Sequence, residues 1–500
     1  MPSVPIDRVI EEVRRALKRG DIVRTVGMVR ELVRQARQDP RTRHLQAITA
    51  LEFGQARDAV ALLETLIFEL TGDPLREATV DLARAREMQG DLENALLTLR
   101  PELESDDTPP AAIASAARIT FRQGDAAGAI AMLENAKADE KQTYHLAGAR
   151  GFIALNTPAD DPELGARTDA AIAALTAESE RVGVPASSLM PLLIDLGELH
   201  ARRGEDGAAA RAWKRSASLS PNKADPRTYA QSVGGMLKSW SGKPLERAKI
   251  ADLGPGAETE RPVFVVGMPG GGAALASTLL AASPEVEATA DPESLTAAVG
   301  RFLAPQNASN QAVVPDPSRV GGKQLADAAA AYLARTEPRG EGITRVVDPF
   351  ELNIHTLGVI AQMFPKASVI FVRRAPFDAC LAGMLAHRDP RLLYANEPQS
   401  LAVFAGGIAR LSTLWEEIFA GDHLPLRHVV VDHEALLTDP SVRRSLFETV
   451  GLAPPDDATL ESIAAACAGS TRTGSGLEAR FAQHLPQLAE AAGQIGLDRV

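Results

Sequence analysis

Residues 262–280 read Pro-Val-Phe-Val-Val-Gly-Met-Pro-Gly-Gly-Gly-Ala-Ala-Leu-Ala-Ser-Thr-Leu-Leu, and this stretch sets the fold of the second half of the chain. Val263 to Val266 is an apolar run, rich in β-branched residues, that predicts a buried parallel strand. Gly267 to Gly272 is a glycine-rich turn, and Ala273 to Leu280 has the composition of a helix. A strand, a glycine loop and a helix in this order aim backbone N–H groups and the positive end of a helix at an anion.

The loop lacks the side chains with which a kinase or NTPase holds phosphate and metal. Ala273 and Ala274 stand where such a loop has a Lys followed by a Ser or Thr. The sequence therefore disfavours a nucleotide kinase or NTPase. The backbone N–H groups of residues 270–274 still predict an anion-binding frame.

Composition limits the class of protein. A length of 500 residues indicates more than one domain, and a net charge of −12 disfavours general nucleic-acid binding. The two cysteines, Cys380 and Cys467, give no disulfide framework, which is typical of a reducing compartment. Residues 1–20 have no apolar core of a signal peptide, and no stretch is apolar for long enough to predict a transmembrane helix. We therefore expect a cytoplasmic protein.

The first half of the chain repeats a three-position pattern. Five glycines are separated by 34, 36, 34 and 80 residues, four of them are followed five residues later by alanine, and all are followed nine residues later by a large apolar residue. The glycine fits the turn of a helical hairpin, the alanine a close helix crossing and the large residue the core. The pattern resembles the tetratricopeptide repeat. Its positions are Gly20, Gly54, Gly90, Gly124 and Gly204; Ala59, Ala95, Ala129 and Ala209; and Val29, Leu63, Leu99, Leu133 and Trp213.

The resemblance to this repeat implies a superhelix of helix pairs over residues 1–225, with a concave groove for a protein or peptide. A rigid spacer or a dimerisation surface is the alternative role. The 80-residue gap predicts an expanded unit around residues 140–195, with an irregular loop at Asn156–Pro162. Residues 226–260 are expected to form a bridging helix and a linker.

From residue 261 to residue 500, apolar strands alternate with helices, which predicts a three-layer α/β domain with a parallel sheet. The fold class is therefore α + α/β. Ligands of such sheets bind beyond the carboxyl ends of the strands. The predicted strands are Val263–Val266, Arg345–Val347, Ser368–Val372 and Arg427–Val431, and the predicted helices are Leu275–Ala282, Lys323–Arg335, Leu352–Met363, Ala375–Leu385 and Gln399–Phe419.

Two arginines follow the third predicted strand. Arg373 and Arg374 stand at the binding edge of the sheet, where guanidinium groups suit phosphate or sulfate. Asp378, one helical turn further on, makes a salt-bridged arginine pair equally compatible with the sequence.

Residues 262 to about 482 resemble the bacterial sulfotransferases that are fused to tetratricopeptide repeats and are similar to protein-tyrosine sulfotransferases. That family opens with Gly-Met-Pro-Arg-Ser-Gly-Thr-Thr-Leu, then His-Pro-Glu-Val and an acidic residue. Here residues 267–275 read Gly-Met-Pro-Gly-Gly-Gly-Ala-Ala-Leu, followed by Ser-Pro-Glu-Val at 283–286 and by Asp291. The resemblance continues, in order, through residues 348–353, 357–374, 431–440, 450–452 and 473–475, and Arg480.

The resemblance implies that 3′-phosphoadenosine 5′-phosphosulfate is the sulfuryl donor and that no metal is needed. Pro349 replaces a lysine that neutralises the leaving group, and Ala382 replaces a serine partner of the 3′-phosphate arginine. Asn353 and Asp378 are kept. The resemblance implies that Asp291 is the general base and that the donor lies against Gly270, Gly271, Gly272, Ala273, Ala274, Arg374, Ser475 and Arg480.

Only Gly272 keeps the family residue within the 270–274 loop, so the loop has lost several charged hydrogen bonds. Each is worth about 1.5–3 kcal/mol, and losing three costs about 4.5–9 kcal/mol if the terms add. Two functions stay open. One is sulfuryl transfer to a hydroxyl of a protein, peptide or glycan that the repeats present. The other is a catalytically silent relative that acts as a scaffold or interaction module.

Overall fold

The computed structural model describes residues 5–136, 142–241, 257–289, 295, 298–299, 322–386, 392–421, 424, 426–470, 472–497 and 499–500. The internal contacts of the chain divide it into two units. The first contains residues 1–223 together with 387–396, and the second contains residues 224–386 together with 397–500. Residues 387–396 thus belong to the first unit, although the segments on both sides of them belong to the second.

The first unit is built from helices that follow one another in antiparallel pairs. Their bounds are α1 Ile6–Arg19, α2 Ile22–Ala36, α3 Pro40–Glu52, α4 Ala56–Leu66, α5 Asp73–Met88, α6 Leu92–Leu103, α7 Pro110–Arg122, α8 Ala126–Glu134, α9 Thr143–Asn156, α10 Leu164–Glu180, α11 Ala186–Arg202 and α12 Asp206–Leu219. A short 3₁₀ turn, Leu393–Asn396, belongs to the same unit.

The hairpin turns follow from local sequence chemistry. Gly124 adopts a φ of 95°, which glycine tolerates without strain, and ends α7. The next residue, Asp125, caps α8 by accepting a hydrogen bond from the Gly128 N–H at 2.7 Å. The other four predicted turn glycines also have positive φ. The predicted alanines and large apolar residues of the pattern are all buried. The helical hairpins therefore lie where the periodicity predicts them.

The first hairpin contacts the far end of the array. The side chain of Asn222, just beyond α12, donates from Nδ2 to the Gly20 carbonyl at 2.7 Å, and its Oδ1 accepts from the Val23 N–H at 3.5 Å. Gly20 also packs against Met190 of α11. The hairpins of the first unit thus close on themselves, whereas an open-ended stack would leave its two ends apart.

The second unit is a five-stranded sheet with helices on both faces. Its elements are α13 Pro226–Trp240, β1 Pro262–Gly267, α14 Ala273–Leu280, β2 Val286–Ala288, α15 Gly322–Arg335, β3 Arg345–Asp348, α16 Leu357–Met363, β4 Ser368–Arg373, α17 Pro376–Leu385, α18 Pro398–Ala420, β5 Arg427–Asp432, α19 His433–Thr438, α20 Pro440–Val450, α21 Asp457–Ala468, α22 Leu477–Phe481 and α23 Pro486–Gly493. The strand order is β2-β3-β1-β4-β5, and every pair is parallel. This architecture confirms the predicted α + α/β class.

The central strand explains the layering. All six residues of β1 are buried, and alternate side chains point to opposite faces. Val263 and Val265 pack against α14, α20 and α21. Phe264 packs against both Tyr332 and Phe364, with ring centroids 5.7 and 6.2 Å away. Both faces are therefore covered.

Two details differ from the sequence prediction. The short strand β2 was not predicted, because it has only three residues and two of them are partly exposed. The helix predicted over Leu352–Met363 is wrong in its first half, where Glu351–Thr356 forms a 3₁₀ turn before α16 begins. No described helix is long and apolar enough to cross a membrane.

Helix α13 belongs to the second unit. Trp240 lies against Gly358, where any side chain would overlap the indole ring, and its ring centroid is 5.0 Å from that of Trp415. The Tyr229 hydroxyl lies 3.1 Å from His355 Nε2. Burial of these aromatic rings accounts for the attachment of this helix to α16 and α18.

Candidate functional site

The parallel sheet gathers the candidate site along one rim. Because all strands point the same way, the segments that follow them meet at their carboxyl ends. β1 leads into the loop Met268–Gly272, and β3 into the turn that carries Glu351. β4 leads into Arg374, and β5 into His433.

The glycine loop is closed against its neighbours at three consecutive positions. A Cβ atom at Gly270 would lie 2.8 Å from the Cβ of Ala382 on α17, and one at Gly271 would lie 2.6 Å from the Met268 carbonyl oxygen. A Cβ at Gly272 would overlap the His433 ring. Gly270 and Gly272 also have φ values of 78° and 121°, which other residues rarely adopt. The loop therefore needs glycine at all three positions.

Two of the loop N–H groups already have partners within the protein. The Gly270 N–H donates to Glu351 Oε1 at 3.4 Å, and the Gly271 N–H donates to the Met268 carbonyl at 2.6 Å. The described residues provide no hydrogen-bond acceptor for the N–H groups of Ala273 and Ala274. The negatively charged carboxylate of Glu351 therefore lies beside the loop, where it would repel a bound anion.

Arg374 is fully buried and binds main-chain carbonyls. Its Nη1 donates to the carbonyls of Gly270 at 2.6 Å and Arg472 at 2.8 Å, and its Nη2 donates to the Gly474 carbonyl at 2.7 Å. Burial lowers the pKa of the guanidinium, and the negative charges of Asp378 and Glu434 oppose that shift. Arg374 thus joins the loop to the segment after α21.

The carboxyl-terminal part of the chain lies against the same rim. The backbone N–H and carbonyl of Arg374 pair with Val500, at 2.9 and 3.0 Å. Asp378 Oδ1 accepts from the N–H groups of Leu477 and Glu478, at 3.0 and 3.2 Å. Burial raises the pKa of the Asp378 carboxyl, while these N–H groups and Arg374 act to lower it.

His433 is held in one tautomer. Its Nε2 lies 2.7 Å from the Thr473 carbonyl, which can only accept, so Nε2 carries the proton. Nδ1 then presents a lone pair to Gly272, and it has no hydrogen-bond partner among the described residues. Burial and the nearby charge of Arg374 lower the pKa of His433 to about 4, so the ring is neutral at neutral pH. A lone pair facing the loop does not favour an anion there.

The other predicted site residues are less closely connected. Ser475 is exposed, and the Arg480 guanidinium lies 4.9 Å from the ring centroid of Phe481. Asp291 lies outside the described residues. Arg373 pairs with Glu416, not with Asp378, so it does not extend towards the loop.

Sequence reasoning missed the role of two residues at this rim. Neither Glu351 nor His433 is assigned a role from the sequence. The signal in the sequence is position, since Glu351 and His433 lie four and two residues after the predicted strands Arg345–Val347 and Arg427–Val431. Within the described part of the chain, no group of three or more His, Cys, Asp and Glu side chains is placed to hold a metal ion.

Comparison with known proteins gives one family match. The model of the Sulfotransferase family matches residues 262–456. An uncharacterised protein of Aquifex aeolicus (strain VF5) is 25% identical over 248 residues, which are 47% of this chain and 31% of that protein. The chain thus spans less than a third of the length of this relative. A sulfotransferase structure from Alicyclobacillus acidocaldarius has 17% identity and a TM-score of 0.27, over 47% of this chain and 96% of that chain. The match to the Sulfotransferase family therefore covers residues 262–456, which are less than half of this chain.

Proposed function

We propose that the sulfotransferase-family domain is catalytically silent towards 3′-phosphoadenosine 5′-phosphosulfate and that the protein acts as an interaction module whose helical unit binds a protein or peptide. The observation that carries this proposal is the closed loop. Gly270, Gly271 and Gly272 each pack against a neighbour with no space for a Cβ atom. The Glu351 carboxylate and the neutral His433 ring lie against the same loop.

The loop differs from an active one in its backbone as well as in its side chains. The resemblance puts an arginine at position 270, yet this glycine has a φ of 78° and lies against Ala382. A long side chain there would strain the backbone and displace α17. Pro349 supplies no charge for a leaving group. Arg374 directs Nη1 and Nη2 at carbonyl oxygens, while its Nε is buried without a hydrogen-bond partner among the described residues. Group transfer depends on charge stabilisation in the transition state, and these residues supply little of it.

Active sulfuryl transfer is the second candidate. The family match and the N–H groups of Ala273 and Ala274, which the described residues leave without acceptors, favour it. In this alternative, Asp291 takes the proton of an acceptor hydroxyl and Arg374 exchanges its carbonyl partners for the 3′-phosphate. The two free cysteines, Cys380 and Cys467, accord with the cytoplasmic location that we propose for either function.

Calorimetric titration of 3′-phosphoadenosine 5′-phosphate into the full chain tests the proposal. We expect no saturable heat up to about 1 mM nucleotide, which corresponds to a binding free energy weaker than about −4 kcal/mol. The same protein, incubated with sulfur-labelled donor and a mixture of hydroxyl acceptors, should release no more sulfate or sulfated product than buffer does.

Ala274→Asp and Ala274→Ser provide the matched controls. Position 274 is exposed in the first turn of α14, where either side chain is compatible with the helix. The proposal would be overturned if the nucleotide bound with micromolar affinity, and if Ala274→Asp abolished that binding while Ala274→Ser kept it. That result would indicate an active donor site. Arg374→Ala is a poor control, because it removes a buried group that links three carbonyls.

A further inference from the structure

The first unit has a basic pocket on its surface. The pocket has a volume of about 540 Å³ and lies where the end of α2, the following turn, α3 and α4 meet. That volume is within the range of clefts that hold drug-sized ligands. Its lining residues are Val33, Arg34, Arg37, Gln38, Arg43, Gln46 and Leu62.

The charge of this pocket is opposite to that of the whole chain. Three arginines and no carboxylates line it, whereas the chain carries a net charge of −12. Arg34 pairs with Glu31 at 2.6 Å, but both side chains are largely exposed, and such pairs are weak. Arg43 pairs with Glu69, although its Nε is buried without a hydrogen-bond partner among the described residues. The described residues provide no ion pair for Arg37.

The remaining lining suits a peptide better than a simple anion. Val33 and Leu62 are half-buried, where they pack on the cores of the first and second hairpins, and they leave an apolar surface in the pocket. The side-chain amides of Gln38 and Gln46 can both donate and accept, as peptide N–H and carbonyl groups require. Guanidinium groups around an apolar surface are complementary to carboxylates that flank an apolar side chain.

We propose that this pocket binds an extended peptide segment of a partner protein, in which at least two Asp or Glu residues flank an apolar residue. The arginines bind the carboxylates, the apolar side chain contacts Val33 and Leu62, and the glutamines bind the peptide backbone. This inference rests on the interaction role proposed above and gives it a place and a ligand class.

Selection from a displayed random library of peptides of about twelve residues tests the inference on the full chain. We expect the bound peptides to be enriched in Asp and Glu next to Leu, Ile, Val or Phe. The enriched consensus is then synthesised with a fluorescent label, and its affinity is measured by anisotropy. Raising the salt from about 50 mM to about 500 mM should weaken binding, because exposed charges are screened.

Variants locate the binding. Arg37→Gln should weaken binding of the labelled peptide by up to about fivefold, since one exposed charged contact is worth up to about 1 kcal/mol. Leu62→Ala should weaken it as well, after melting curves show that the unit is folded. Arg100→Gln is the matched control, since Arg100 is an exposed helical arginine of the same unit that pairs with Glu104 and does not line the pocket.

Two outcomes would overturn the inference. One is a selection that enriches no peptide sequence, or that enriches neutral or basic peptides. The other is an acidic consensus whose affinity is the same for Arg37→Gln as for Arg100→Gln. Neither result bears on the nucleotide titration, which reports only on the 270–274 loop, so the two proposals can fail separately.

Discussion

His433 shows how one buried ring can make the second unit sensitive to acid. Its pKa of about 4 lies below the ordinary value of 6.5, because burial and Arg374 disfavour the charged form. The unfolded chain therefore binds a proton between pH 6.5 and pH 4 that the folded chain does not. Stability from this residue is complete above pH 6.5 and is lost as the pH falls towards 4.

We predict that His433→Gln reduces the loss of stability between pH 7 and pH 5 by about 2 kcal/mol. The glutamine can still donate to the Thr473 carbonyl but does not titrate. Urea unfolding at the two pH values measures the difference. A Trp213→Phe background restricts the fluorescence to Trp240 and Trp415, which both lie in the second unit. Equal losses in the two proteins would show that His433 is not the titrating group.

Arg374 is predicted to stabilise the fold. Arg374→Met removes three hydrogen bonds and leaves the carbonyls of Gly270, Arg472 and Gly474 without their donor. We expect a loss of about 3–5 kcal/mol in the free energy of unfolding of the second unit, measured by urea titration. Arg374→Lys should recover part of it, because the ammonium keeps the charge but lacks the fork geometry. Unchanged or higher stability in the Met variant would instead indicate an arginine reserved for a ligand.

Helices α11 and α12 cross closely at a glycine. A Cβ atom at Gly197 would overlap Trp213, whose Nε1 donates to the Ile194 carbonyl at 3.3 Å. Gly197→Ala should therefore destabilise the first unit by about 1–3 kcal/mol, despite the better helix propensity of alanine. Gly165→Ala is the control, since Gly165 lies in α10 with open space around its Cα, and it should stabilise by up to about 1 kcal/mol. Thermal melts followed by circular dichroism compare the two, and equal shifts would contradict the close crossing.

The elements themselves were predictable where their signals are local. β1 and β4 were placed to within a residue or two, because strands buried on both faces are continuous apolar runs. The hairpin turns were predictable because each glycine ends its own helix. The edge strand β2 was missed because partial exposure removes that apolar signal.

The candidate site was predictable only in part. The sequence shows which side chains the loop lacks, and the strand pattern places Arg374 on the loop rim. It does not show that the guanidinium of Arg374 binds the Gly270 carbonyl, 104 residues away, or the carbonyls of Arg472 and Gly474. Those pairings depend on long-range packing, which a local pattern does not contain. The Glu351 and His433 contacts were missed for the same reason.

Asn222 helps to hold the first unit closed. Its side chain binds Gly20 and Val23, and its own carbonyl accepts from Asn396 Nδ2 at 3.0 Å. Asn222→Ala should cost about 1–2 kcal/mol and accelerate amide hydrogen exchange at Val23. Asn156→Ala is the control, because the hydrogen bond of that side chain among the described residues is to Phe152 of its own helix. Unchanged exchange at Val23 would show that Asn222 does not hold the closure.

The closure of the first unit also has a consequence for its synthesis. The Gly20 and Asn222 partners are 202 residues apart, so the first hairpin has to wait for most of the unit to be made. At about 5–20 residues per second, that delay is about 10–40 s on the ribosome. Helices α1 and α2 are thus made long before all of their partners are available. A nascent chain of this protein would expose one face of its first hairpin to chaperones throughout that interval.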